Sequence, residues 1–412
     1  MSALHLTRQR AVLVFLAFAL AYFFSALVRA ITATLSPVLT EELGLQARDL
    51  GLLAGGYFLG FSLTQLPLGR WLDRHGPRRV ILAFLSVAVL GCVAFAQAQS
   101  FSGLLLARVL CGVGVSACLM APLTGYRRWF NANTQLRTNA WMLMTGSLGM
   151  VAATLPVQWL LPLWGWRALF VAMAVCIALA MLAIRLLVPV WSREAVPSAA
   201  AQNDDGGYAE VWRSRYFWRM GPLGFFSYGG MVAIQTLWAG PWMTQVAGWT
   251  PLAAATGLFV INLSMLVSFW LWGWITPGLA RRGIHADALI AWGLPLSLLA
   301  LLALVWVGPA AGAGAAALLA AFCVSSTFVS LAQPAVGMAF PAHLAGRALS
   351  AYNLVIFAGI FVVQWGIGLG VDFARSLGLG VAEAYQAAFG AFGLCSLLSW
   401  LFFWRFRADN RA

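Results

Sequence analysis

The chain has 412 residues, of which 62% are hydrophobic and only 9% are charged, and its formal net charge is +13. Soluble domains contain about 25% charged residues, so this composition excludes a water-soluble globular protein. The apolar runs continue over about 20 residues, enough for a helix to cross a bilayer core of about 30 Å and about twice the length of a membrane β-barrel strand. The sequence therefore predicts an all-α membrane protein.

Twelve apolar segments, called spans 1 to 12 below, follow one another along the chain. They cover residues 11–33, 48–69, 79–98, 101–124, 138–161, 166–189, 221–244, 252–276, 286–308, 311–337, 346–371 and 382–405. A polar segment, 190–220, separates the first six from the last six. We therefore predict an N-terminal six-helix bundle over 1–189, a cytoplasmic central loop over 190–220 and a C-terminal six-helix bundle over 221–412.

The arginines fix the predicted orientation, and all 25 basic residues are arginine. With the N-terminus in the cytoplasm, 20 of them fall on the cytoplasmic side, Arg48, Arg167 and Arg375 fall on the outer side, and Arg29 and Arg108 lie inside spans. Cytoplasmic loops of membrane proteins carry such an excess of basic residues. We therefore expect a multi-pass protein of a bacterial inner (plasma) membrane with both termini in the cytoplasm, and no nucleic-acid partner.

Arg29 and Arg108 are the two charges placed inside predicted spans 1 and 4. At 1.5 Å of rise per residue, both lie about 10 Å from the predicted outer boundary. An arginine at this depth costs about 2.5–3.5 kcal/mol on insertion scales and usually faces a cavity or a partner. Arg29 can alternatively place its guanidinium among the headgroups, and Arg108 can have a purely structural role.

The connection between spans 2 and 3 reads Gly69-Arg-Trp-Leu-Asp73-Arg74-His-Gly76-Pro-Arg78-Arg79-Val. It resembles the cytoplasmic signature loop of the major facilitator superfamily. Span 4 contains Arg108-Val-Leu-Cys-Gly112-Val-Gly114, which is similar to the arginine-to-glycine pattern of that superfamily. The resemblance implies two pseudo-symmetric six-helix bundles that transport a solute by alternating access. It also implies a conformational latch formed by Gly69, Asp73, Arg74, Gly76 and Arg78.

Two short matches indicate an internal repeat of about half the chain length. Pro122-Leu-Thr-Gly125 near the end of span 4 matches Pro334-Ala-Val-Gly337 near the end of span 10, at an offset of 212 residues. Leu72–Gly76 matches Leu279–Gly283 at an offset of 207 residues. Ala280 stands in place of the aspartate in the second copy, so we expect any latch there to be weaker.

In this superfamily spans 1, 4, 7 and 10 line the central cavity, which implies that Arg29 and Arg108 face it. A guanidinium binds carboxylate or phosphate with two parallel hydrogen bonds, so the pair forms a candidate anion clamp. The region around Arg29 is similar in layout to superfamily members that move organic anions, in which a span 1 arginine and a span 2 tyrosine face the substrate. Tyr57 is the matching tyrosine, with core packing as the alternative.

Several polar side chains lie at mid-depth of the later spans and are further candidates for substrate contact. Interhelical hydrogen bonding is the alternative for each of them. The candidates are Gln235, Asn262, Ser325, Ser326, Asn353 and Gln364.

No motif supports a catalytic or metal site. The four histidines lie at loop ends, without an H-E-x-x-H motif and without an acidic residue five positions later, and the six cysteines lie in apolar runs without a C-x-x-C pair. We therefore expect no enzyme, no metal and no cofactor.

We expect a secondary active transporter of a small organic anion, working as a monomer in the lipid bilayer, with a coupling proton as a further candidate partner. A drug or metabolite efflux antiporter is an alternative, although span 5 lacks the Gly-Pro pattern of those families. A nitrate-type carrier is another, although spans 2 and 8 contain no interior arginine. A non-transporting membrane sensor is the third, although we expect a sensor to carry an appended domain.

Overall fold

The computed structural model describes residues 6–130, 132–190 and 207–406, and these residues form helices and short connections without a strand. The α-helices are α1 Arg8–Leu43, α2 Ala47–Leu63, α3 Gln65–His75, α4 Pro77–Gln97, α5 Phe101–Val115, α6 Ala117–Trp129, α7 Ala132–Ala152, α8 Leu155–Leu187, α9 Gly207–Arg213, α10 Arg215–Pro222, α11 Gly229–Ala233, α12 Ala239–Pro241, α13 Pro251–Arg281, α14 Ala286–Val307, α15 Ala315–Ser326, α16 Ala332–Met338, α17 Ala342–Ser376 and α18 Val381–Arg405.

Short π and 3₁₀ segments complete the helical chain. The π segments are Leu223–Tyr228, Ile234–Trp238 and Trp242–Val246, and the 3₁₀ segments are Gly308–Gly314 and Thr327–Leu331. Proline explains two of these interruptions, because it lacks an N–H and crowds the carbonyl four residues before it. Pro241 follows the second π segment, and Pro334 follows the second 3₁₀ segment.

The predicted spans agree closely with some helices, whereas α1 ends at Leu43, ten residues after the predicted end of span 1. Spans 3, 9 and 12 match α4, α14 and α18 to within two residues. Gly165 has φ +69° and interrupts α8, so the first part of α8 continues span 5 and the second part forms span 6. Of the predicted central loop, 191–206 lie outside the described residues, and the rest differs from the prediction because Gly207–Arg213 and Arg215–Pro222 are helical.

By length and composition, eight helical stretches of the described chain could each cross a membrane. One of them, Ala286–Met338, is 53 residues long and contains both span 9 and span 10. Spans 2, 5 and 7 are not among the eight. Span 2 is divided at Thr64, three residues before Pro67, and span 7 is divided by its π segments.

Glycines allow the helices around the centre of the molecule to touch backbone to backbone. A methyl group at Gly51 of α2 would overlap the carbonyl oxygen of Gln364 on α17, and one at Gly112 of α5 would overlap the carbonyl oxygen of Tyr57 on α2. Gly240 of α12 similarly faces the carbonyl oxygen of Ala33 on α1, where a methyl group would lie 2.9 Å away. These close approaches join α2 to α5 and to α17, and α1 to α12.

Candidate functional site

Arg29 projects from α1 into the helix bundle and is only partly exposed. Its guanidinium carbon lies 5.8 Å from the centre of the Phe61 ring of α2. The hydroxyls of Tyr22, Tyr57 and Tyr228 lie within electrostatic range of its charge. The Nε atom of Arg29 is buried and has no hydrogen-bond partner among the described residues.

Arg108 lies behind Tyr57 and is fully buried. Its Nη1 donates a hydrogen bond of 2.9 Å to the carbonyl oxygen of Val28, the residue before Arg29, so its guanidinium lies beside the backbone of α1 next to Arg29. The guanidinium carbon of Arg108 lies 5.3 Å from the centre of the Tyr57 ring. Its Nε and Nη2 have no partner among the described residues.

Tyr57 of α2 lies between Arg108 and the part of α1 that carries Arg29. Its ring faces Arg108, and its hydroxyl donates a 3.4 Å hydrogen bond to the carbonyl oxygen of Ser25 on α1. Aromatic rings continue from this point, because Phe61 lies one turn further along α2 and its ring centre is 4.1 Å from that of Phe357 on α17. The site therefore has an aromatic wall with contributions from both halves of the chain.

The charges of Arg29 and Arg108 are not compensated by a carboxylate within the part of the chain that the structure describes. The ion pairs found there join Arg48 to Asp49 and Asp372, Arg167 to Glu42, and Arg219 to Asp287. A buried cation without a counter-charge is costly in a medium of low polarity. An anion that entered the bundle beside Arg29 would supply that counter-charge.

Two of the polar residues predicted on the later spans bond to each other. Gln235 donates from Nε2 to Oδ1 of Asn262 at 2.9 Å, and Asn262 in turn donates to the carbonyl oxygen of Leu258 at 2.9 Å. Asn353 accepts a 2.5 Å hydrogen bond from Gln333, and Ser326 is buried. None of these hydrogen bonds reaches Arg29 or Arg108. The structure thus brings together Arg29, Tyr57 and Arg108, whereas Gln235, Asn262 and Asn353 bond to other residues.

Three residues near the site, Tyr22, Phe61 and Tyr228, were not among the predicted candidates. Tyr22 precedes Arg29 by seven residues, which places both on one face of α1, and this spacing was a usable signal. Phe61 precedes the signature loop on α2 without a distinguishing pattern. Tyr228 comes from a distant segment. The predicted candidate Gln364 donates to Thr236 at 2.9 Å, and its Oε1 is buried without a partner among the described residues.

The predicted latch residues lie at the far end of α3 and the start of α4. Gly76 adopts φ +77°, a conformation that favours glycine, and it joins the two helices. Asp73 and Arg74 are exposed. Gly69 is exposed as well, and a methyl group added there would contact no other atom within 4 Å. Arg78 donates to the carbonyl oxygen of Arg185 at the end of α8, which belongs to the same half of the chain.

Comparison with known proteins gives a family match over most of the chain. The family model described as Major Facilitator Superfamily matches residues 18–363. Among solved structures, a bacterial homolog of the human lysosomal transporter Spinster, inward-facing and unoccupied, has a TM-score of 0.79 at 17% identity and covers 97% of each chain. A D-xylose-proton symporter has a TM-score of 0.77 at 14% identity, covering 96% of this chain and 98% of its own. At these identities the two structures establish the fold.

The curated relatives include transporters of organic acids. A probable L-galactonate transporter of Escherichia coli (strain K12) is 25% identical over 280 residues, which are 62% of this chain and 61% of that protein. A hexuronate transporter of the same organism is 27% identical over 35% of this chain and 34% of that protein. A 4-hydroxybenzoate transporter of Acinetobacter baylyi is 27% identical over 33% of this chain and 30% of that protein. The matches thus span less than two thirds of these relatives.

Proposed function

This chain belongs to the Major Facilitator Superfamily, and on that premise we propose that it carries a small organic anion across the membrane by alternating access. The family and the relatives are transporters, which points to transport rather than to an enzymatic reaction. The chain is a multi-pass membrane protein. We further propose that it works as a monomer in a bacterial inner membrane with both termini in the cytoplasm. In this proposal the bundles 1–189 and 221–412 move relative to each other and are joined by the loop 190–220.

One observation carries this proposal: Arg29 is a partly exposed cation inside the bundle without a described carboxylate partner. A carboxylate accepts two parallel hydrogen bonds from a guanidinium, which is stronger than a neutral hydrogen bond and fixes the orientation of the ligand. We assign to Arg29 the direct contact with the negative group. Tyr57 would donate its hydroxyl to the same group, because the Ser25 carbonyl holds that hydroxyl only at 3.4 Å.

Arg108 would support the site from behind, since it is fully buried and its ring contact is with Tyr57. Its positive charge would also attract the anion, because the protein interior screens charges less than water does. Gln235, Asn262, Ser326 and Asn353 would contact the uncharged part of the solute. Three of them already form side-chain hydrogen bonds, so this role requires those bonds to exchange when the solute enters.

The relatives narrow the proposed substrate class. They are named for L-galactonate, hexuronate and 4-hydroxybenzoate, which are all hydroxylated monocarboxylic acids. Their shared chemistry is one carboxylate together with hydroxyl groups, and this is what an arginine surrounded by tyrosine hydroxyls can bind. If transport is coupled to a proton, the solute's own carboxyl group is the proposed carrier, because the described residues place no carboxylate in the middle of a span.

Uptake by proteoliposomes that contain the purified protein tests the proposal. The solutes are galactonate, glucuronate and 4-hydroxybenzoate, with nitrate and glucose as the inorganic and neutral comparisons. We expect at least one organic acid to be taken up and the Arg29→Gln variant to bind it about 10- to 100-fold more weakly, because a charged hydrogen-bond pair contributes about 1.5–3 kcal/mol.

Arg282→Gln is the matched control, because Arg282 is exposed at the end of α13 and the substitution removes the same charge. Uptake of glucose or nitrate alone would contradict the proposal. Equal uptake and equal affinity in the Arg29→Gln variant would assign Arg29 a structural role instead.

A further inference from the structure

A pocket of about 430 Å³ lies on the outside of the bundle, at the end where α3, α4 and α8 meet. It is lined by His75, Arg78, Arg79, Leu82, Arg185 and Val190. Three of the six are arginines and one is a histidine, whereas the other two are apolar. The pocket is separate from the arginine site between α1, α2 and α5.

The local backbone builds this pocket. Gly76 ends α3 with φ +77°, and Pro77 begins α4, so Arg78 and Arg79 lie in the first turn of α4. The first turn of a helix presents backbone N–H groups without intrahelical partners and carries a partial positive charge. Arg78 is held in place by a 2.5 Å hydrogen bond from its Nη2 to the carbonyl oxygen of Arg185.

The positive charge of the pocket is not neutralised within the described part of the chain. No carboxylate is among the lining residues, and none of the ion pairs of the described residues involves Arg78, Arg79 or Arg185. Arg79 and Arg185 are exposed, so their guanidinium groups are available to a ligand. The chemistry that fits is a phosphate or phosphodiester, which guanidinium groups bind through paired hydrogen bonds.

The surroundings distinguish a lipid from a soluble phosphate. Leu186 and Val190 beside the pocket are 72% and 64% exposed, and Leu182 one turn earlier on α8 is 51% exposed. Leu182 and Leu186 lie one turn apart on α8 and form an exposed apolar strip beside Arg185. A headgroup in the pocket would therefore have its acyl chains beside this strip, whereas a soluble phosphate would leave the strip without a role.

We propose that this pocket binds the headgroup of an anionic phospholipid of the cytoplasmic leaflet, such as phosphatidylglycerol. The leaflet follows from the arginine distribution, and the site is independent of the solute that the transporter carries. Basic pockets between membrane helices on the cytoplasmic side bind anionic headgroups in this way, and each basic residue near an anionic membrane surface contributes appreciably to the attraction. Zwitterionic phosphatidylcholine carries a compensating ammonium group, which three arginines would repel.

Binding of short-chain lipids to the full-length protein in a neutral detergent tests the proposal. The probes are dioctanoyl phosphatidylglycerol, dioctanoyl phosphatidylcholine and glycerol 3-phosphate, measured by isothermal titration calorimetry. We expect phosphatidylglycerol to bind the wild type at least tenfold more tightly than either of the other two, and its affinity to fall as salt is raised, because the pocket is open to solvent. These measurements on the wild type require no variant to fold.

The double variant Arg79→Gln/Arg185→Gln should bind phosphatidylglycerol about 30-fold more weakly, since two basic contacts are lost. The matched control is Arg215→Gln/Arg282→Gln, which removes the same charge from exposed positions outside the pocket and should bind as the wild type does. Equal binding of phosphatidylcholine, equal binding by the first double variant, or an equal loss in the control would overturn the proposal. Glycerol 3-phosphate binding as tightly as the lipid would overturn it in favour of a soluble anion.

Discussion

At the scale of single residues, Tyr57 is the side chain that lies between the surroundings of Arg29 and the buried Arg108. Its ring lies against Arg108, and its hydroxyl faces α1, where Arg29 is attached. The ring and the hydroxyl therefore have separable roles. The ring covers a buried charge, whereas the hydroxyl is available to a ligand beside Arg29.

We predict that Tyr57→Phe weakens binding of the transported acid about fivefold and leaves the thermal stability nearly unchanged. The substitution keeps the ring over Arg108 and removes only a hydroxyl whose loss from a ligand contact costs about 1 kcal/mol. Titration calorimetry with the acid identified in the uptake assay measures the affinity. Tyr126→Phe is the control, because Tyr126 is also buried and its hydroxyl has the sulfur of Met142, at 4.0 Å, as its one hydrogen-bond partner among the described residues. Unchanged affinity in Tyr57→Phe would remove Tyr57 from the proposed site.

At the scale of the helices, small residues at the contacts decide where the arginines lie. Gly112 lets α5 approach the backbone of α2 at Tyr57, and Gly60 lets α2 approach the carbonyl of Val109 on α5. Without a hydrophobic driving force between helices in lipid, such close packing is a main source of helix association. The arginine-to-glycine pattern of span 4 thus has a physical reason, because Gly112 brings Arg108 against the ring of Tyr57.

We predict that Gly112→Ala lowers the free energy of unfolding by about 1–3 kcal/mol, since the added methyl group would overlap the Tyr57 carbonyl and force α2 and α5 apart. The measurement is the thermal unfolding midpoint in detergent. Gly366→Ala is the matched control, because Gly366 lies inside α17 and an added methyl group there meets no atom within 4 Å. A midpoint for Gly112→Ala equal to that of Gly366→Ala would contradict this account of the α2–α5 contact.

At the scale of the whole molecule, the two halves are joined on the predicted outer side. Asp372 of α17 accepts hydrogen bonds from the backbone N–H groups of Ala47 at 3.3 Å and Arg48 at 2.9 Å, at the N-terminus of α2. Its carboxylate also lies 3.9 Å from Nε of Arg48. A carboxylate at a helix N-terminus satisfies unpaired N–H groups and interacts favourably with the helix dipole. We therefore infer that this contact stabilises a state in which the two halves are closed on this predicted outer side.

We predict that Asp372→Ala shifts the protein toward a state open on that side, because two backbone N–H groups of α2 lose their charged acceptor. Spin labels at Glu41 and Leu377, exposed positions on the two halves, would report this as a longer distance population in double electron–electron resonance. Glu383→Ala is the control, since Glu383 lies on the same side but accepts a hydrogen bond from Gly380, at the start of its own helix. Identical distance distributions in the wild type and Asp372→Ala would show that other contacts hold the halves together.

The sequence alone determined the features that depend on the lipid environment or on residues close together in the chain. A hydrocarbon core requires long apolar helices, so the spans were visible as apolar runs, and the boundaries of α4, α14 and α18 followed to within two residues. A charge in such a run is expensive, so Arg29 and Arg108 were conspicuous without any structure. The turn at Gly76 and the pairing of Tyr22 with Arg29 on one face of α1 also depend on short spacings.

Only the tertiary structure decided which distant groups meet. Asp372 caps a helix that begins more than 300 residues earlier, and Phe357 of α17 stacks near Phe61 of α2. No spacing within one helix encodes these contacts, because they depend on the packing of the two halves. The same holds for Gln235, for which the sequence left solute contact and interhelical hydrogen bonding open, and which bonds to Asn262 in the structure. A buried polar group is stabilised by whichever partner the fold places beside it, and that partner is set by three-dimensional packing rather than by position in the chain.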